Sequence, residues 1–224
     1  SIATLVNKGL EELAPNDLIR REVKYIVENY KDSTLVEELI HDFVYEYILE
    51  CGLEGQEDLV EVYKKNVKSE AKMALFEQMC NTWSSLCPGT PSPVFNLPDM
   101  NGKMVSLESM RGKFVYIDLW ASWCGPCHRE IPFLKRLEKK FAGKNIVFVG
   151  ISCDTDKEAW LKSMQNEGLD GIQLYMGDDL AFGKAYMVSN LPRFILVDPE
   201  GNIVEAYMTA PSSPKAEERL QELL

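Results

Sequence analysis

From Pro15 to about Cys80, apolar residues return at steps of three and four, the spacing that lines one face of an α-helix. Leu18, Ile19, Val23, Ile26, Val27 and Tyr30 form the first such stripe; Leu35, Leu39, Phe43, Tyr47 and Ile48 form the second. The second helix is expected to stop at Cys51-Gly52, because glycine suits a helix carboxyl cap. A third stripe, Leu59, Val62, Tyr63, Val67, Ala74, Leu75 and Met79, predicts one last helix. The aromatic residues Tyr45, Tyr47 and Tyr63 read as core.

The helical pattern ends at Cys87-Pro88-Gly89-Thr90-Pro91-Ser92-Pro93, where the prolines forbid a continued helix. This stretch reads as a stiff linker and divides the chain into a helical region, 1–88, and a second domain, 89–224. Beyond it the period changes. Val94-Phe95-Asn96-Leu97 and Met104-Val105-Ser106-Leu107 flank the turn Asn101-Gly102 and predict a hairpin. Strands are then expected at Phe114 to Trp120, Ile146 to Ser152, Ile172 to Tyr175, Phe194 to Val197 and Ile203 to Tyr207. Between and after them, helices are expected at Pro126 to Phe141, Lys157 to Glu167, Asp179 to Met187 and Pro214 to Leu224. Alternation followed by a closing hairpin through Asp198-Pro199-Glu200-Gly201 implies an α/β domain, a mixed central sheet with helices on both faces.

Composition narrows the function. The chain is 46% hydrophobic and 26% charged, as in ordinary globular proteins with a sizeable core. Its net charge of −11 is concentrated in residues 1–88, which hold 17 acidic and 9 basic side chains. Nucleic acid and anionic membrane surfaces need clustered Lys and Arg, so neither is expected as a partner. No apolar run reaches the roughly 20 residues that span a bilayer. Ser1-Ile2-Ala3-Thr4 does not read as a leader, so a signal peptide or lipid anchor would lie upstream. Six cysteines fit an oxidising compartment.

The chemistry concentrates in Trp123-Cys124-Gly125-Pro126-Cys127, which follows an apolar strand and opens a helix. Unpaired N–H groups and the positive end of the helix dipole stabilise a thiolate on Cys124, the form that attacks disulfides. Pro126 in the first turn sacrifices no helical hydrogen bond. A structural zinc site would need a second ligand pair; the only histidines are His41 and His128, and no second Cys-x-x-Cys exists. No metal is expected, and no cofactor beyond the redox-active disulfide Cys124–Cys127. A permanently closed structural disulfide is the remaining alternative.

Through this motif and the positions around it, residues 90–224 resemble the thioredoxin superfamily. Within it they are most similar to the TlpA/ResA-like extracytoplasmic reductases, which share the opening hairpin and the insert before the last one. The resemblance implies a thioredoxin-like fold and a thiol-disulfide oxidoreductase, with Trp123, Gly125 and Pro126 in the substrate-facing surface. Asp118, six residues before Cys124, matches the buried aspartate that shuttles the proton of the second cysteine. Much of the TlpA/ResA group has a non-acidic residue there, so this position is more thioredoxin-like. Glu130, three residues after Cys127, resembles an active-site glutamate of some members, although acids are favoured early in any helix. Pro132 matches a helix-kinking proline. Leu191-Pro192 aligns with the cis-proline loop that offers backbone hydrogen bonds to substrate; Leu191 departs from the usual Thr, Val or Ile. His128 could lower a neighbouring cysteine pKa when charged. Implied partners are a disulfide-containing protein substrate and an upstream thiol donor, in the periplasm or cell envelope.

The Gly-Pro dipeptide and Asp118 favour a reductase; a disulfide oxidase or isomerase is the alternative. A peroxiredoxin-type peroxidase would need Thr or Ser where Ala121 stands and Pro where Ile117 stands. A binding module without turnover would not need both cysteines. Cys51 and Cys153 read as buried small hydrophobes, and Cys80 with Cys87 as a candidate disulfide.

Overall fold

The computed structural model describes residues 15–224, so Ser1 to Thr4, weighed above as a leader, lies outside the described residues. The chain divides into two compact units that meet between Trp83 and Ser84.

The first unit contains α1 (Pro15–Asn29), α2 (Ser33–Cys51), α3 (Glu57–Asn66) and α4 (Glu70–Ser84). Asp32 caps α2 by accepting from the Thr34 and Leu35 amides. Gly52 ends it at φ 82°, with its N–H on the Ile48 carbonyl, a backbone conformation that suits glycine. The stripe from Leu59 to Met79, expected as one helix, is two. Val67 is extended, and the Glu37 carboxylate accepts from the Lys68 and Ser69 amides at 3.1 and 3.0 Å. Those donors hold Glu37 below the usual carboxylate range. The buried stripe of α2 is Val36, Ile40, Val44 and Ile48, whereas Leu35 and Phe43 of the expected stripe are exposed. Two apolar stripes lie side by side on this helix, and the period alone does not choose between them. Tyr63 is buried and stacks on Phe76.

In the second unit, β1 (Asn96–Pro98) and β2 (Met104–Ser106) form the antiparallel hairpin. Leu107, expected in the strand, instead opens a 3₁₀ turn to Met110 that the Ser106 hydroxyl caps. The central sheet has the order β5-β4-β3-β6-β7. Its strands are β3 (Phe114–Trp120), β4 (Ile146–Ser152), β5 (Ile172–Tyr175), β6 (Arg193–Val197) and β7 (Ile203–Met208). β3, β4 and β5 run parallel, and β6 and β7 close the sheet antiparallel. The helices are α5 (Gly125–Lys140), α6 (Lys157–Glu167), α7 (Leu180–Ala185) and α8 (Pro214–Leu223). The sheet is mixed and flanked by helices. β3 is central and nearly all buried, which explains its unbroken apolar run. Tyr116, Phe194 and Leu196 pack with Leu134, Leu137 and Phe141 on the α5 side and Ala216 and Leu220 of α8. A second cluster forms where Trp120 and Ala121 meet Trp160 and Met164 of α6.

The proline-rich stretch is pinned to the second unit rather than running as a spacer. Gly89 and Ser92 donate to the carbonyls of Ile203 and Gly201 at 2.8 and 2.9 Å, and Ile203 donates to Thr90 at 2.8 Å. Pro88, Pro91 and Pro93 lack donors, and the residues between them, Gly89, Thr90 and Ser92, carry the pairing.

Candidate active site

β3 ends at Trp120, four residues make the turn, and α5 starts at Gly125. Cys124 is the N-cap of α5, and its Sγ accepts from the Cys127 amide at 3.2 Å. The two cysteines form a disulfide with Cα atoms 5.3 Å apart. Both are buried, while Trp123 stands 70% exposed beside them with Gly125 and Pro126 also exposed. Once reduced, Cys124 keeps the Cys127 amide and the helix end as stabilisers of its thiolate. Pro132 lies inside α5 as expected.

The Leu191–Pro192 bond is cis, and Leu191 packs against the cluster that contains both cysteines. Sequence reasoning passes over the next residue. Arg193 is buried, donates to the carbonyls of Ala206 (3.0 Å), Met187 (2.7 Å) and Tyr186, and lies 4.2 Å over the Tyr207 ring. Burial pulls its pKa down to about 10. It ties the proline loop to β7 and to the turn after α7.

Asp118 shares the α5-facing side of β3 with Tyr116, two residues away, and is 8% exposed. Burial, followed by the charges of Glu138 and Glu130, pushes its carboxyl up to about 7. This is the range a proton acceptor near neutral pH needs. Glu130 is used differently from its expected place in the chemistry. Its carboxylate accepts from the Ser212 amide and hydroxyl at 2.9 and 2.8 Å, pinning the loop that leads into α8. It reaches Asp118 through its charge.

His128 also turns from the sulfurs. Its Nε2 meets the Ser122 carbonyl and its Nδ1 the Glu167 carboxylate, both at 2.9 Å. The other side of Ser122 is held by Asp154, which sequence reasoning misses. This carboxylate, 1% exposed, accepts from the Ser122 amide, the Ser122 hydroxyl at 2.6 Å and the Ser152 hydroxyl at 2.8 Å. The peptide units on both sides of Ser122 are thereby fixed, and with them the turn that presents Trp123 and Cys124. The one trace of this in the sequence is an acid two residues beyond an apolar strand.

The other cysteines correct the sequence reading. Cys51 is exposed rather than buried, as the last residue of α2. Cys80 and Cys87 are both thiols. Cys153 lies just past β4, and burial, Asp154 and Asp118 push its thiol up to about 12. Among the described residues no cluster of His, Cys, Asp or Glu is arranged to hold a metal ion, and no helix is long and apolar enough to cross a membrane.

Residues 88–224 match the Redoxin family model. A thiol-disulfide oxidoreductase ResA of Bacillus subtilis is 32% identical over 121 residues, 54% of this chain and 67% of the relative. A Bacteroides vulgatus protein solved in solution is 53% identical, with a TM-score of 0.56 over 62% of this chain and 92% of its own. The crystal structure of the thioredoxin domain of a Bacteroides vulgatus thiol-disulfide oxidoreductase is 29% identical, with a TM-score of 0.57 over 62% and 99%.

Proposed function

Because the chain belongs to the Redoxin family, as a ResA/TlpA-like member of the thioredoxin superfamily, we propose that it is a thiol-disulfide oxidoreductase that works as a reductase of protein disulfides. The observation that carries the reading is the dithiol at the start of α5, with Cys124 capping the helix and Asp118 buried on the sheet face beneath it.

The Cys124 thiolate attacks one sulfur of the substrate disulfide. A bond forms between Cys124 and that sulfur as the substrate S–S bond breaks, and the departing sulfur leaves as a thiolate that takes a proton. Cys127 then gives its proton to ionised Asp118 and attacks the Cys124 sulfur. The intramolecular disulfide forms and the second substrate sulfur is released. Two electrons pass from this protein to the substrate, and a dithiol donor must return them. Glu130 is not assigned a proton in this cycle, since Ser212 occupies its carboxylate. Exposed Trp123, Gly125 and Pro126, together with Leu191 and Pro192, form the surface that receives the substrate chain. The substrate is a disulfide-containing protein, the donor an upstream thiol protein, and the compartment the cell envelope outside the cytoplasm; likeness to the ResA group supports these three assignments.

The test is the reduction potential of Cys124/Cys127, from equilibration in dithiothreitol or glutathione buffers, with Cys124→Ser as the blank. A value near thioredoxin's, about −270 mV, is expected; one near DsbA's, about −120 mV, would make the protein an oxidase.

A further inference from the structure

Asp118, Gly150 and Gln173 are direct partners in register across β3, β4 and β5. In parallel strands such partners point to the same face, so the three form one row across the sheet, with the middle member lacking a side chain. Gln173 fills that gap. A Cβ built on Gly150 would meet the Gln173 Oε1 at 2.1 Å, so this oxygen lies over β4, whose backbone stands one strand spacing, about 4.8 Å, from that of β3. Gln173 is 8% exposed, and no hydrogen bond reaches its Oε1 among the described residues. The amide orientation follows from the other end of the group: Nε2 donates to the Asp170 carbonyl at 3.3 Å, which can only accept. A buried acceptor oxygen is thus carried across the row toward a buried carboxyl group. Ionised Asp118 would offer it nothing, whereas protonated Asp118 has a donor to give.

We propose that Gln173 is a positioning residue for the proton of Asp118, its Oε1 accepting from the protonated carboxyl across the space left by Gly150. The inference deepens the proposed dithiol chemistry and rests on Asp118 being its proton acceptor. Gln173 sets how firmly that proton is held, and hence the pH at which Asp118 becomes free to take the proton of Cys127. The other groups acting on Asp118 are accounted for. Glu138 and Glu130 on α5 raise its pKa by their charge; Tyr116 on β3 and Cys153 beyond β4 are themselves pushed up with Asp118 among the causes. Cys127 opens the same helix as the two glutamates. None of these supplies an acceptor in the row of Gly150.

The experiment is a carboxyl-carbon NMR titration of Asp118 in the oxidised full chain, comparing wild type with Gln173→Met and Gly150→Ala. Methionine keeps the volume and removes the acceptor; alanine at 150 displaces the amide and leaves it intact elsewhere. Both are expected to lower the Asp118 pKa by about one unit, because a hydrogen bond to the neutral form is lost. The pH profile for release of the mixed disulfide should move by the same amount in the same direction. A titration that stays in place or moves up in Gln173→Met overturns the proposal, since dryness alone would then explain Asp118. Should the methionine variant not fold, Gly150→Ala decides by the same criterion. The titration needs no turnover. A shift in a protein that fails to reduce disulfides would sink the proposed function and keep this inference, and normal turnover without a shift would do the reverse.

Discussion

Asp118 in the body of β3 and Asp154 just past the end of β4 are both buried, at 8% and 1% exposure, but their surroundings differ. Asp154 is saturated with donors: one amide and two hydroxyl groups converge on its carboxylate. Around Asp118 the influences are dry packing and two further acids, which favour the protonated form. The first arrangement makes a fixed anchor for the turn before Cys124. The second suits a group that exchanges a proton. Burial does not by itself decide what a carboxylate does; the donors within reach decide it.

The pH dependence of stability should show the contrast most strongly. Folding raises Asp118 from 3.8 to about 7. Between those values the unfolded chain has lost the proton that the folded chain keeps, so stability falls as pH rises through the window. The loss reaches about 4 kcal/mol above it. Asp118→Asn should flatten this part of the profile and be more stable than wild type at pH 8, as measured by urea midpoints from pH 4 to 8. Parallel profiles for the two proteins would remove the distinction. Next in size is Asp154→Ala, which leaves one buried and two part-buried donors without their acceptor and should cost about 3 kcal/mol in the same urea series. A cost below about 1 kcal/mol would show that Asp154 anchors nothing. Asp118→Asn should also slow release of the mixed disulfide about 100-fold in stopped-flow, with attack by Cys124 little changed. Equal slowing of both steps would place Asp118 outside the proton transfer. Ser122→Ala is the mildest change, removing only the 2.6 Å hydroxyl contact to Asp154, and should cost about 1 kcal/mol.

The sequence reveals the second unit better than the first, for a physical reason. β3, β4, α6 and β5 begin and end at the residues expected from pattern, because each is an apolar run or stripe closed by local turn and cap signals such as Asp156 and Gly168. The dithiol is legible for the same reason: strand, turn, cysteines and helix start are contiguous. The α3–α4 break is not, because the acid that stabilises it, Glu37, lies 31 residues from Lys68. Asp154 grips Ser122 across 32 residues, and Gln173 reaches Gly150 through sheet register alone. Glu130 shows the opposite case. Its position in the chain invites a role beside the dithiol, while the partner its carboxylate holds, Ser212, lies 82 residues on and leaves no mark near it in the sequence.

The two flanks of the five-stranded sheet carry a consequence of their own. β5 is met by the hairpin, where Asp99 bridges to Leu174, and β7 by the proline-rich stretch, where Pro91 bridges to Asn202. Bare outer strands are templates on which other chains stack and precipitate. Here each outer strand is partly occupied by the protein's own backbone, by segments whose prolines cannot pass a ladder of hydrogen bonds onward. A protein that, as proposed, leaves chains with newly broken cross-links is thereby shielded from joining their aggregates.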